Sequence, residues 1–356
     1  DAPLLLRAED LHAAVVQTWW NNKSEWTDRP VPQETIVAEE RDRAYDLLGG
    51  EDERGGGAIL ISGIKRPLPI ADSKRESPPS LTWLRAAKAA GAWVDAEKPF
   101  WWDFPVWLSS GGVDSVGIAN NHMNRGGMYA GGEAWGRPRD RDQFPEPRGN
   151  GYWSQTIYYH ALNAGFRLPP SAGSASGVLP NPVGYNRMYA RLEGGFNWDD
   201  WWKSVRAGHV FVTNGPLLRL TAGRHFPGHL FQSEKPGVHH IMFEVLALDD
   251  VARVGALRFR LNTESPFLAP TSGKLPPLVR LNALWILLRS AASDPGTQPF
   301  YQFSHACLRV CIQQCACECA ATRANNTRTY LALSNRILRY ILLSPRCGIL
   351  DQLHSC

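Results

Sequence analysis

Acidic residues at two places in the sequence, and a histidine at a third, are of types that could bind a metal ion or transfer protons. Glu51 and Glu53 lie in the run GGEDERGGG, Glu97 lies in GAWVDAEKPFWWD, and His122 follows two asparagines. Carboxylates and neutral imidazoles bind divalent metal ions, and they also serve as general acids and bases. We therefore take Glu51, Glu53, Glu97 and His122 as candidate metal ligands. The acids could equally form a solvated turn beside the glycines, and His122 could be a structural loop residue.

A second set of residues could bind a polar ligand. Trp faces stack on sugars and aromatic rings, so Trp101 and Trp102 beside Asp103 form the best candidate, although such residues also fill cores. Lys98 could supply a cation for an anionic ligand, or it could pair with Glu97. The small residues of SAGSASG, at 171–177, could place backbone amides around an anion. The candidate binding residues are Lys98, Trp101, Trp102, Asp103, Asn121 and Ser174.

The elements that must position these residues alternate along the chain. Apolar runs predict strands at AAVVQTWW, at Ala58–Ile64, in AWVDA and in VDSVGIANN. Helices are predicted at SLTWLRAAKAA before Gly91, at YWSQTIYYHALNA before Gly165 and within NWDDWWKSVRAG. The segment YDLLGGEDERGGG is predicted to contain a glycine-broken turn. Such alternation predicts parallel strands with helices outside, and ligands bound at the carboxyl ends of the strands.

Composition divides the chain into three parts. Residues 1–215 carry the alternating pattern, residues 216–263 resemble a small antiparallel β module (LLRLTAGRHF, HHIMFEVLAL, GALRFRLN), and residues 264–356 hold all seven Cys. The last part has nine Lys or Arg and four Asp or Glu, which leaves 29 basic and 30 acidic residues in 1–263. We therefore predict an atypical tail, disordered or frame-shifted, and no nucleic-acid partner for the near-neutral body. No apolar run reaches the roughly 18 residues needed to span a membrane.

Five segments within residues 5–230 resemble the PHP-type metallohydrolases of the CehA/McbA family. They are RAEDLHAAVVQTWWNN, GGEDERGGG, GAWVDAEKPFWWD, HALNAGFRLPPSAGSASGVLPNPVGYNRMY and VRAGHVFVTNGPLL. The resemblance implies an α/β fold, a distorted (βα)7 barrel, with divalent metal ions (Zn, Mn or Fe) at the carboxyl ends of its strands. It also implies hydrolysis of ester, carbamate or phosphoester bonds by metal-activated water. The family's first strand carries a His-x-His pair that does not precede residue 22, so we expect a barrel that is incomplete at its N-terminus.

Several ligand positions implied by the resemblance hold residues that cannot bind metal. The family's Asp-His-Asn motif matches Trp19–Asn21, its His-Pro matches Lys98-Pro99, and its Gly-Ser-Asp-x-His matches Gly173–Gly177, which lacks both Asp and His. Its Gly-x-Glu ligand is retained as Glu51. We therefore predict a degenerate protein of this fold without the full metal site, holding a divalent metal or none, which binds a small-molecule, polar or carbohydrate ligand. The alternative is an active metal-dependent hydrolase with an altered site built from Glu51, Glu53, Glu97 and His122.

Overall fold

The computed structural model describes six stretches of the chain and two further strands. The stretches are residues 2–21, 23–39, 42–71, 73–129, 139–231 and 241–246, and the strands are 251–256 and 286–290. All of them lie in one compact unit, Asp1–Gln314. The predicted Cys-rich tail, 264–356, lies outside the described residues apart from one strand. No helix in the described stretches is long and apolar enough to cross a membrane.

Helices and strands alternate through the described part of the chain. The helices are α1 (Ala2–Ala8), α2 (Ser80–Ala89), α3 (Phe104–Ser109), α4 (Gly149–Asn163) and α5 (Trp198–Arg206). The strands of the central sheet are β1 (Ala13–Trp20), β2 (Lys23–Ser24), β3 (Ile36–Glu39), β4 (Arg43–Arg54), β5 (Gly57–Ser62), β6 (Trp93–Ala96), β7 (Ser115–Ala119) and β10 (Pro170–Ala172). The other strands pair two by two: β8 (Met123–Asn124) with β9 (Gly127–Met128), β11 (Arg187–Ala190) with β12 (Val210–Thr213), β13 (Leu217–Ala222) with β14 (Ile241–Leu246), and β15 (Val251–Ala256) with β16 (Ile286–Ser290). The four predicted strands and three predicted helices are all present.

The central sheet brings the carboxyl ends of five strands to one edge. Its hydrogen-bonded order is β10-β7-β6-β5-β4-β1-β2, with β3 paired to β4. β1 runs parallel to β4, while β6, β7 and β10 run parallel to one another. β5 is antiparallel to both β4 and β6, so β4 and β6 point the same way. The sheet is therefore mixed: five strands point the same way as predicted, β5, β2 and β3 pair antiparallel with their neighbours, and closure into a barrel stays a prediction.

Strand β4 corrects the predicted glycine-broken turn. Residues 45–54 of that segment belong to β4, which runs unbroken for twelve residues, and Gly49 and Gly50 are needed there for close packing rather than for a bend. A Cβ placed on Gly50 would lie 2.0 Å from Cε2 of Trp19, and one placed on Gly49 would lie 2.7 Å from Cγ1 of Val15. The missing side chains let β1 approach, and the Trp19 indole donates a 3.1 Å hydrogen bond to the carbonyl of Leu48. The turn prediction is therefore confirmed at Gly55 and Gly56, which join β4 to β5, and wrong at Gly49 and Gly50, because the need for glycine there comes from contacts with β1, which lies earlier in the chain.

The helices cover the sheet with apolar side chains. Leu84 and Ala87 of α2, and Tyr158 and Leu162 of α4, are buried in one cluster with strand residues such as Val94. Burial of apolar area is the main force that holds helices against a sheet. The sheet edge that carries the candidate residues is therefore anchored on a packed core.

Helix α5 begins where its sequence predicts. The Asn197 side-chain oxygen accepts hydrogen bonds from the backbone N–H groups of Asp199 and Asp200, at 3.0 and 3.1 Å. Asn is a favoured first-turn cap because its side chain satisfies backbone donors that have no partner within the helix. The two acids also interact favourably with the positive end of the helix dipole.

The β strands after residue 216 pair antiparallel, as the apolar runs in residues 216–263 predict. β13 pairs with β14 in register from Leu217 opposite Leu246 to Ala222 opposite Ile241. β15 pairs with β16, which falls within the predicted tail. The predicted strand GALRFRLN lies outside the described residues except for its first two positions, and the boundary of the module stays a prediction.

Candidate functional site

The structure places the predicted metal ligands at the carboxyl edge of the sheet. Glu51 and Glu53 lie near the end of β4, Glu97 and Lys98 follow β6, and His122 follows β7. The ends of these strands are neighbours because the strands point the same way. We call Glu51, Glu53, Glu97 and Lys98 the charged cluster. We call the charged cluster together with Trp101, His122 and Tyr129 the edge site.

The alternation of β4 sorts its charged residues onto two faces. Side chains two residues apart on a strand share a face, so Glu51 and Glu53 point together and Asp52 and Arg54 point the other way. Arg54 Nε donates a 2.6 Å hydrogen bond to Asp52 Oδ1, and Asp52 is fully buried. Asp52 is thus already neutralised by its own partner. The charged residues of β4 that face the residues after β6 are therefore Glu51 and Glu53.

Lys98 is the centre of the charged cluster. Its ammonium group forms an ion pair with Glu97 and lies 3.9 Å from Glu53 Oε1 and 4.7 Å from the centroid of the Trp101 ring. The Lys98 side chain is 1% exposed. Burial by itself would lower the pKa of Lys98, but the charges of Glu97, Glu53 and Glu51 outweigh it and raise the pKa. Lys98 therefore carries a positive charge beneath the acids.

Glu51 has the opposite tendency. Burial raises the pKa of its carboxyl well above the usual value although part of the residue remains at the surface, and the charge of Glu97 raises it further. Lys98 opposes these effects, while Glu53 adds to them by its charge and by accepting a hydrogen bond from protonated Glu51. The surroundings of Glu51 therefore favour the protonated form of its carboxyl group.

His122 contributes an uncharged imidazole. Its ring lies among aromatic rings, with centroids 6.0 Å from Phe100, 6.4 Å from Trp101 and 5.9 Å from Tyr129. Burial and the charge of Lys98 lower the pKa of His122 to about 4. Its Nδ1 is buried without a hydrogen-bond partner. The imidazole is therefore neutral at physiological pH and has hydrogen-bonding capacity to offer.

The donor set of the charged cluster does not fit a divalent metal ion. A metal ion placed among these carboxylates would meet the ammonium of Lys98, which already neutralises Glu97 and approaches Glu53. A metal ion bound to Glu97 or Glu53 and the ammonium group of Lys98 would repel each other strongly, because the site is poorly solvated. Across the part of the chain that the structure describes, no three His, Cys, Asp or Glu side chains are grouped so that they could hold a metal ion.

The predicted aromatic binding group is divided by the start of α3. Trp101 is buried, packs edge-on against Phe100 and covers Lys98. Trp102 is exposed. Asp103 turns toward β4 and β5, where its backbone N–H donates a 2.8 Å hydrogen bond to the carbonyl of Gly56. Burial raises the pKa of Asp103, and the charge of nearby Arg54 opposes that rise, so Asp103 belongs with the other face of β4.

Ser174 is a structural residue of the loop after β10. Its hydroxyl accepts a 2.9 Å hydrogen bond from the backbone N–H of Asn186 and donates one of 3.2 Å to the carbonyl of the same residue. Both functions of the hydroxyl are therefore used within the fold. The next residue, Ala175, has a left-handed φ of 46°, which is uncommon for a residue other than glycine. Asn121, the remaining predicted binding residue, has a buried Oδ1 without a partner.

Asn186 is a residue at this edge that the sequence does not single out. Its side-chain nitrogen donates hydrogen bonds to the carbonyls of Asn120, Met123 and Gly173, at 2.9, 3.1 and 3.1 Å. It thereby joins the loop that carries His122 to the loop after β10. The side chain is 3% exposed and its Oδ1 has no partner. Its only sequence signal is an asparagine directly before a short strand.

Asp95 is a second residue that the sequence analysis misses. Its carboxylate is buried and accepts hydrogen bonds from the hydroxyls of Ser115 and Ser171, so it connects β6, β7 and β10. Burial raises the pKa of Asp95 to about 6, although both hydroxyls oppose the rise. A carboxylate in the middle of the apolar strand AWVDA is the signal that could have identified it.

Comparison of the chain with known proteins gave no matching family model and no match among curated proteins or solved structures. The resemblance to PHP-type metallohydrolases therefore depends on the sequence motifs alone.

Proposed function

We propose that this chain is a divergent PHP-like protein that binds a small polar or carbohydrate ligand at the edge site, without the metal-dependent hydrolysis that the resemblance implies. The observation that carries the proposal is the position of Lys98. A covalently attached ammonium group pairs with Glu97 and lies 3.9 Å from Glu53 Oε1, so it stands where a hydrolytic metal ion would need those acids.

Unpartnered polar atoms support the binding part of the proposal. Asn121 Oδ1, His122 Nδ1 and Asn186 Oδ1 are buried and lack hydrogen-bond partners. Each such group costs about 1–3 kcal/mol relative to a satisfied one. A polar ligand or ordered water that reached these residues after a small side-chain rotation would recover part of that cost. The rings of Tyr129 and His122 beside them offer flat faces of the kind that sugars pack on.

The residues at the other implied ligand positions support the loss of hydrolysis. Trp19 is buried and uses its indole N–H for the carbonyl of Leu48. Ala175 and Gly177 stand where the resemblance implies Asp and His, and neither has a side-chain donor atom. Water activation by a metal ion needs several ligands around that ion, and in the charged cluster the ammonium group of Lys98 stands among the acids that would have to supply them.

The test measures binding and hydrolysis on the same purified full-length chain. We expect saturable binding of simple sugars by calorimetry, weakened by Asn121→Ala and His122→Ala and unaffected by Glu193→Ala, a change at an exposed glutamate. We expect no stoichiometric Zn, Mn or Fe by elemental analysis. Hydrolysis of p-nitrophenyl acetate or bis(p-nitrophenyl) phosphate that requires one of these metals, and that Glu51→Ala abolishes, would overturn the proposal in favour of the active hydrolase.

A further inference from the structure

We infer that the edge site selects a positively charged ligand, an amine-bearing polyol such as an amino sugar, over a neutral or an anionic ligand of the same shape. The inference rests on the proposed function and concerns the charge of the ligand at that same site. It follows from which members of the charged cluster face the solvent.

The charged cluster has more acid than base. Three carboxyl groups surround one ammonium group, so its net charge is −2 when all four groups are ionised. Asp95, whose charge interacts with those of Glu97 and Lys98, adds a further acid. The nearest base on β4, Arg54, lies on the opposite face and is paired with Asp52.

Exposure decides what an incoming ligand meets. Lys98 is 1% exposed and Glu97 is 7% exposed, whereas the Glu53 side chain is 37% exposed. The positive charge is therefore buried, and the accessible charge of the cluster is a carboxylate. The second cause of attraction is Tyr129, whose exposed ring lies beside His122 and can face a cation through its π electrons.

Asn186 supplies an observation independent of charge. Its side chain is buried and firmly oriented by three carbonyl groups, yet its Oδ1 has no partner. An unpartnered amide oxygen accepts hydrogen bonds, so it favours ligands that carry donors. Hydroxyl and ammonium groups are donors, and a phosphate dianion is not.

The test compares three ligands that share one ring: glucose, glucosamine and glucose 6-phosphate, at pH 6.5 and low salt. A charge-assisted hydrogen bond is roughly twice as strong as a neutral one. We therefore expect glucosamine to bind about tenfold more tightly than glucose, equivalent to ~1.4 kcal/mol, and glucose 6-phosphate to bind least. The ratio should fall toward one in Glu53→Gln and at high salt, because screening weakens an accessible charge. Glu193→Gln makes the same chemical change at an exposed glutamate between β11 and α5 and should keep the ratio. Circular dichroism of both variants checks their folding.

Each result separates the two proposals. Equal affinity for glucose and glucosamine would overturn the inference and leave the proposed function standing. Tightest binding of glucose 6-phosphate would overturn it as well, and would indicate that Lys98 faces the ligand. A ratio that survives Glu53→Gln would refute the assigned source of selectivity. Failure of all three sugars to bind at millimolar concentration would overturn the inference and the proposed function together.

Discussion

Replacing Lys98 by Met tests the internal cation directly. Met keeps a flexible side chain of similar length and removes the charge, so Glu97, which is 7% exposed, loses its close partner. Removal of one member of a buried ion pair typically costs about 3–5 kcal/mol. The contribution of Glu53, 3.9 Å away and 37% exposed, is reduced by solvent and adds about 1 kcal/mol or less.

Protonation of Glu97 sets an upper limit on this cost. The variant can neutralise the stranded carboxylate by binding a proton, and at pH 7 that costs about 1.4 kcal/mol for each unit between pH 7 and the ordinary Glu pKa of about 4.3. The limit is therefore about 4 kcal/mol at pH 7 and about 1 kcal/mol at pH 5. We expect Lys98→Met to lower the free energy of unfolding by about 3–4 kcal/mol at pH 7, and the deficit to shrink as the pH falls.

Urea unfolding followed by tryptophan fluorescence measures the loss of stability at pH 7 and its decrease at lower pH. The double variant Lys98→Met/Glu97→Gln should recover much of the loss, because it removes the stranded charge. Lys203→Met, at an exposed position of α5, is the matched control and should change stability by less than about 0.5 kcal/mol. A loss below about 1 kcal/mol at pH 7, or a double variant no more stable than Lys98→Met, would refute the assignment of Lys98 as the counter-ion of Glu97.

Three further changes probe the sheet and a helix. Between pH 3.8 and about 6, Asp95 keeps its proton in the folded state, whereas the unfolded chain releases it. The free energy of unfolding should therefore fall by about 3 kcal/mol as the pH rises through that window. Asp95→Asn should lack this pH dependence, and urea unfolding of both proteins over a series of pH values measures the difference. Gly50→Ala would push a methyl group into the Trp19 indole and should cost about 1–3 kcal/mol, whereas Gly194→Ala, with open space around the new Cβ, should leave the thermal midpoint nearly unchanged. Asn197→Ala removes the cap of α5 and should cost about 1 kcal/mol in urea unfolding; retention of full stability would contradict the capping role.

The positions of the site residues could be predicted because they depend on local pattern and strand direction. Glu97 and His122 follow short apolar strands, and parallel strands bring their carboxyl ends together whatever the details of packing. The identity of Lys98's partner could not be chosen from sequence, since a cation for a ligand and a partner for Glu97 look the same there. In the structure, Lys98 forms its ion pair with Glu97.

The remaining errors arise from contacts distant in sequence. The strand character of Glu51 and Glu53 depends on Trp19, which needs the space that Gly50 leaves. Asp103 leaves the site because α3 begins at the next residue and turns it toward β4 and β5. Ser174 looks like a ligand-binding hydroxyl, but Asn186, twelve residues later, uses it. None of these partners can be identified by reading along a single segment.

A positive charge that is part of the polypeptide is present from the moment of synthesis, in a ratio of one to one, and cannot dissociate. Under the proposed function, Lys98 supplies by itself the positive charge that Glu97 needs, and a chelator would have nothing to extract from the charged cluster. The same permanence fixes the charge at +1 and the geometry at the reach of one side chain. A mobile ion could exchange water and change its coordination during a reaction, whereas a buried ammonium group can only hold its neighbours in place.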